Sequence, residues 1–261
     1  MARPAIVATL LLLAACATSP LGRNQLILFP DAEIAQMGAA TFQSLKQGTP
    51  PLRDARRNAY VSCVAQHLLR ASGHQPQAWE VLVFADESAN AFALPGRKIG
   101  VHSGLLDVAR NQHQLATVIG HEIAHVTARH ANERVSNQFV TQTGMELVQA
   151  ASGETTPMKQ QLFALLGVGV QVGVTLPFGR TQEAEADVVG LDLMANAGFE
   201  PSESVNLWRN MTRAGGQKPP EFLSTHPSNE RRIAELSARV PEASRKAAAA
   251  RQSGRRPDCR S

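Results

Sequence analysis

His121-Glu122-Ile123-Ala124-His125 sits in a run from Gln114 to Val135 whose apolar spacing predicts a helix, and the rest of the chain is best read outward from it. Helical residues four apart share a face, so His121 and His125 can bind one ion, while Glu122, about 100° round the helix, can reach a water on that ion. This is the H-E-x-x-H spacing of zinc sites that hydrolyse. Zinc lowers the pKa of a water it binds to roughly 7, and a neighbouring carboxylate can take the proton as that water attacks a carbonyl. Five residues in a fixed pattern also recur by chance, and the plainer alternative is an amphipathic helix with His and Glu on its surface.

A third ligand candidate stands in Arg180-Thr181-Gln182-Glu183-Ala184-Glu185-Ala186-Asp187, which opens another helical pattern through Val188, Val189, Leu191, Leu193 and Met194. Glu183 and Asp187 are again four apart. A catalytic zinc takes three protein ligands and keeps a fourth position open, and its histidines usually give their other ring N–H to a carboxylate. Glu183 can be the ligand and Asp187 the carboxylate behind a histidine. Alternatively these acids form the solvated, dipole-favoured first turn of a helix, which is the reading adopted for Glu185. A third histidine as last ligand is disfavoured, because that pattern needs glycine at Ala128 and histidine at Ala131. His130 lies nearly opposite His121 on the wheel of a continuous helix and is expected at the surface or in a structural role.

These two motifs, with Asn90-Ala91-Phe92-Ala93-Leu94-Pro95-Gly96 upstream and Thr225-His226-Pro227 downstream, resemble the CAAX prenyl protease and HtpX-like family of zinc metallopeptidases over about residues 31–240. Within it, the soluble lipoprotein branch of Gram-negative envelopes is the nearest in character. The resemblance implies one Zn2+ per chain on His121, His125 and Glu183, with Glu122 as catalytic base. It also places His226 beside the zinc, either donating to the oxyanion or capping the metal in a closed state; a loop histidine without such a role is the alternative. An edge strand containing Asn90, Ala91, Phe92 and Ala93 is expected to border the cleft and bind peptide by strand addition, where backbone hydrogen bonds give affinity with little sequence preference. One departure is visible. After Pro95-Gly96 the family usually has a second glycine and an aromatic, where this chain has Arg97 and Lys98, which leaves the metal chemistry untouched and bears on substrate preference.

The amino terminus predicts the compartment. Arg3 supplies a positive charge, Ala5 to Leu13 is apolar but too short to span a bilayer, and small residues follow, which is the layout of a secretory signal. Leu13-Ala14-Ala15-Cys16 resembles the bacterial lipobox, so residues 1–15 are expected to be removed and Cys16 to carry lipid. Ala17 after it, by resemblance to other lipoproteins, goes with transfer to the outer membrane. Each buried methylene contributes about 0.8 kcal/mol, and more than one chain is needed for stable anchoring. The expected location is the outer membrane, facing the periplasm.

What remains fits one compact enzyme domain on a tether: 16–30 as tether, 31–240 as the metallopeptidase domain, 241–261 as a basic, disordered tail. Aromatic content of 5% with abundant alanine favours helices. From Glu242 to Ser261 six basic residues face two acidic ones, a run that reads as solvated rather than as a nucleic-acid site. Cys63 and Cys259 have no partners at metal spacing; in an oxidising compartment they either pair or stay as two thiols. Asp31 is a candidate N-cap for a helix to about Lys46, and a second helix from about Leu52 to Ala71 sets Val61, Val64, Leu68 and Leu69 at core spacing, with Tyr60 in the core beside them and His67 and His74 at the surface. Trp79 to Phe84 and Lys98 to Ser103 read as strands, with Leu94-Pro95-Gly96 as a turn and His102 on the cleft rim or surface. Gln161 to Phe178 is nearly continuous in apolar residues, but Gln171, three glycines and Pro177 make a buried or cleft-covering helix the preferred reading over a span.

The fold class expected is α+β: a mostly helical zincin-type body with a small sheet. The activity implied is hydrolysis of internal peptide bonds, with unfolded or misassembled envelope polypeptides as partners. The alternative is a chaperone or assembly factor for outer-membrane proteins that binds chains and rarely cuts them, for which a base beside the metal is superfluous.

Overall fold

The computed structural model describes residues 16–151, 178–214, 221–226 and 230–260. The signal read at 1–15, the apolar segment from Gln161 up to Phe178 and Pro227 lie outside the described residues. Within them the architecture is α+β and mostly helical, as expected. A hairpin of β1 (Cys16–Thr18) and β2 (Asn24–Leu26) leads to α1 (Asp31–Gly48) and α2 (Ala55–Ala71). Asp31 does not cap α1; its carboxylate instead accepts from Arg129 and Asn132. Asp54 does cap α2, accepting from the Arg57 N–H at 3.0 Å. The buried face of α2 carries Tyr60, Val61, Val64, Leu68 and Leu69, the residues its spacing selects.

Three strands follow, β3 (Glu80–Phe84), β4 (Ala91–Leu94) and β5 (Lys98–His102), in the order β3-β5-β4. β5 runs parallel to β3 and antiparallel to β4, so the hairpin joins β4 to β5 and leaves β4 at an edge. Its turn passes through Gly96 at φ 84° and Arg97 at φ 64°. A side chain in the left-handed region is sterically costly, which accounts for the glycine that the resembling family usually has where this chain has Arg97.

Next come α3 (Leu105–Val108), α4 (Gln112–Thr127), α5 (His130–Ala151), α6 (Arg180–Asn196), α7 (Ser202–Ala214), α8 (Glu221–Thr225) and α9 (Glu230–Gln252). The single helix expected from Gln114 to Val135 is thus two. Arg129, at φ 55°, turns the chain between them, and a helical wheel drawn through that break assigns His130 to the wrong side. The main core, including Val64, Leu68, Ile99, Leu115, Ile119 and Trp208, gains about 1.5–3 kcal/mol per fully buried side chain. α4 and α6 cross with their backbones touching: a Cβ on Gly190 would lie 2.9 Å from the Cα of His121, a closeness that glycine alone permits. That crossing sets the first turns of α6 against the H-E-x-x-H face of α4. Among the described residues no helix is long and apolar enough to cross a membrane.

Both ends correct the sequence reading. Residues 16–30 are docked rather than a free tether: Gln25 is buried and donates to the Ala128 carbonyl at 2.7 Å, and the Leu28 N–H donates to Ser136 Oγ. Residues 241–261 are not a disordered tail either. α9 continues through Pro241, and Ala243, Ala247 and Ala250, spaced four and three apart, are buried while the basic residues lie outside that face. Beyond it, Cys259 is bonded to Cys63 across 196 residues of sequence. A link that closes so long a loop restricts the unfolded chain, and its loss typically costs about 2–4 kcal/mol. Reduction, or Cys259→Ala, is therefore expected to lower the free energy of unfolding in urea by that amount and to move the midpoint down; an unchanged midpoint would mean that the bridge adds nothing to the docking of α9.

Candidate metal centre

α4 presents His121 and His125 one turn apart, and the start of α6 brings Glu183 between them. The two Nε2 atoms are 3.0 Å apart; Glu183 Oε1 lies 3.3 Å from that of His125 and Oε2 3.5 Å from that of His121. His226, directly after α8, adds Nδ1 at 2.9 Å from Glu183 Oε1 and 3.2 Å from His121 Nε2. All four residues are buried, and their donor atoms lie within 4.8 Å of one another. The three ligands expected from sequence are gathered, and His226 joins them as a fourth.

The donor set fits zinc. His121 turns Nδ1 to Asp187 Oδ1 at 3.1 Å, and His125 turns Nδ1 to His130 Nδ1 at 2.9 Å. With those nitrogens carrying the ring protons, both Nε2 lone pairs face inward, an arrangement that repels unless a cation lies between them. Bonds of about 2.0–2.1 Å in a tetrahedron put ligand atoms roughly 3.4 Å apart, against separations of 2.9–3.5 Å here. The charges agree. Burial opposes ionisation of Glu183, yet the surrounding histidines hold it well below the usual carboxylate range. Burial also opposes a charge on His121, but Glu183 and Asp187 raise it to about 9, while burial pushes His125 well below its ordinary value. Without an ion the two carboxylates draw a proton onto His121, the positive charge whose place a metal between the Nε2 atoms would take.

Glu122 is buried beside this group, and burial raises its pKa. Its Oε2 accepts from the Ala93 N–H at 3.0 Å, which puts the outer edge of β4, Asn90 to Ala93, against α4. Its Oε1 accepts no hydrogen bond among the described residues and lies 3.3 Å from His226 Nε2. Phe178 stacks on His125 at 3.8 Å between ring centroids, and Phe222 on His226 at 4.4 Å.

Several residues stand where sequence reasoning did not put them. Arg232 on α9, not singled out from the sequence, is buried and pairs with Asp187 through Nε and Nη2 and with Glu183 through Nη1 at 2.8 Å. An arginine in a charged helix reads as solvated; the available cue is that Arg232 and Leu236, four apart, share the buried face. Glu185 is not solvated: it is buried and accepts from Arg23, from the Leu21 N–H and from His130. His130 is fully buried, and burial lowers its pKa against the pull of Glu185. His102 is buried too, with Nδ1 2.8 Å from Ser88 Oγ and its ring between Phe84 and Phe92, rather than on a cleft rim.

Known proteins are similar to this chain in sequence. The fission yeast mitochondrial metalloendopeptidase OMA1 is 38% identical over 186 residues, 70% of this chain and 53% of that protein. The OMA1 of Saccharomyces cerevisiae is 35% identical over 174 residues, 63% of this chain and 48% of its own length. The Escherichia coli β-barrel assembly-enhancing protease is 28% identical over 216 residues, 78% of this chain and 43% of that protein. The chain therefore spans about half the length of these relatives. Residues 55–240 match peptidase family M48, a stretch that holds both helical motifs, the β4 edge and His226, and the chain belongs to that family.

Proposed function

We propose that the chain is a zinc-dependent metalloendopeptidase that cuts internal peptide bonds of unfolded or misassembled cell-envelope proteins, held at the periplasmic face of the outer membrane by lipid on Cys16. The observation that carries the reading is Glu122: a buried carboxylate with one oxygen tied to an edge-strand N–H and the other, among the described residues, left without a donor beside the zinc site. A protein that only binds chains has no use for such a base. Zinc in the site supplies acidification of water and polarisation of a carbonyl oxygen. Glu122 Oε1 takes the proton, and a proton acceptor so placed contributes about 10²–10⁴-fold. Asp187 holds the His121 ring by its Nδ1–H, and Arg232 holds Asp187 and Glu183. A substrate strand added along Asn90 to Ala93 needs the Ala93 N–H, now given to Glu122, so the substrate-free arrangement is a closed one.

His226 is read as the gate of that closed state, because its Nδ1 stands among the ligand atoms where a catalytic zinc needs an open position. His226→Ala is expected to keep zinc and to cleave faster than the wild type. A loss of about 10²–10³-fold would make it an oxyanion donor instead, and unchanged kinetics at equal zinc content would remove both roles.

The envelope assignment rests on the signal and lipobox pattern ending at Cys16, and a bacterial relative named for β-barrel assembly agrees with it. Cys16→Ser in a Gram-negative host is expected to abolish fatty-acid labelling and move the protein to the soluble periplasm; unchanged labelling would refute the anchor. The substrate class is tested with purified protein lacking residues 1–15, offered an unfolded outer-membrane protein and its folded form. Cleavage of the unfolded chain alone is the result expected, and binding without cleavage would favour the assembly-factor reading.

A further inference from the structure

Two of the residues that the sequence reading misjudged, Glu185 and His130, belong to one connected group. Arg23, in the turn of the β1–β2 hairpin, binds Glu133 through a forked pair and gives Nε and Nη2 to Glu185 Oε2 at 3.1 and 3.0 Å. The Leu21 N–H donates to the other oxygen, Oε1, at 3.2 Å. Glu185 Oε2 in turn faces His130 Nε2 at 3.2 Å, and His130 Nδ1 faces His125 Nδ1 at 2.9 Å. Glu133 is shared as well: it accepts from Gln182 on α6 and from Gln25 on β2, whose amide also caps the C-terminal end of α4 at Ala128.

We infer that the N-terminal hairpin is a working part of the metal centre, with Arg23, Glu185 and His130 as positioning residues that fix the ring of the zinc ligand His125. An ionised carboxylate only accepts, so Glu185 places the His130 proton on Nε2 and leaves Nδ1 as an acceptor. His125 then carries its proton on Nδ1 and turns the Nε2 lone pair to the ion. A hydrogen-bond partner behind a metal-bound histidine sets its tautomer and orientation, and losing one typically costs about 10–100-fold in metal affinity. What is unusual here is where the support begins. Arg23 precedes the residues matched by the family, 55–240, and lies seven residues from Cys16, which pairs with Leu26 in the same hairpin. The segment that we propose to be anchored is therefore wired, through three side chains, to a zinc ligand. Undocking the hairpin would loosen that ligand.

The inference rests on the zinc-site reading, and the test separates the two. Zinc affinity of the full mature chain is measured by competition with a chelator for wild type, Arg23→Ala, His130→Phe and the double variant, each checked for fold by circular dichroism. Arg23→Ala is expected to weaken zinc by about tenfold and His130→Phe by about 10–100-fold, with the double variant no weaker than His130→Phe, since the effect of Arg23 passes through His130. In the wild type the hydrogen-bonded His125 Nδ1 proton should be visible by NMR; it should be lost in His130→Phe and exchange faster in Arg23→Ala. If Arg23→Ala does not fold, Arg23→Lys, which keeps a cation between the carboxylates but lacks the fork, serves in its place with a smaller loss. Unchanged zinc affinity in a folded Arg23 variant, or losses that multiply in the double variant, would overturn the relay while leaving the zinc site intact. A wild type that takes up no zinc would overturn both.

Discussion

Glu122→Gln is expected to keep its zinc and its fold while peptide cleavage falls by about 10²–10⁴-fold, the contribution of a positioned proton acceptor. The amide has nearly the same shape, so the Ala93 N–H can still find an oxygen and the packing of β4 on α4 is kept. What it lacks is a second oxygen able to take a proton at the position now held by Oε1. Cleavage assays at matched zinc content check this. A variant that cuts at the wild-type rate would remove Glu122 from the chemistry and with it the proposed mechanism.

Glu183→Ala should have the largest effect on the metal itself. Its carboxylate touches three of the histidines and supplies the negative charge that the cluster needs. Without it, Arg232 keeps Asp187 but loses its second carboxylate beside the site. Zinc retained after dialysis is expected to fall to a small fraction of wild type. Asp187→Asn, which leaves the ligands in place and weakens the support that Asp187 gives to His121 and its pair with Arg232, should cost about 10–100-fold in affinity or activity. Equal zinc content in wild type and Glu183→Ala would take Glu183 out of the site.

The parts of this site that sequence reveals are those with local geometry. His121, Glu122 and His125 are fixed relative to one another by one helical turn, and Glu183 and Asp187 by another, so spacing alone places each group. The meeting of the two turns depends on the backbone contact at Gly190, which a single glycine in a helical pattern does not announce. His130 was illegible for a different reason. One left-handed residue, Arg129, breaks the helix and swings the following turn back onto His125, and periodicity carries no sign of it. Glu185, Arg23 and Arg232 are polar residues buried by partners far away in sequence, and a pattern reading assigns such residues to solvent by default. The tail failed similarly: its run of basic residues outweighed a buried stripe of three alanines.

The central claim is that this cluster is a zinc site built for hydrolysis, and one measurement addresses it most directly. The mature chain is purified, its zinc is quantified, and cleavage of an unfolded protein is followed before chelation, after it, and after zinc is returned. The account predicts one zinc per chain, loss of cleavage on chelation and recovery with added zinc. Cleavage that persists in the metal-free protein, or a chain that takes up no zinc, would contradict it.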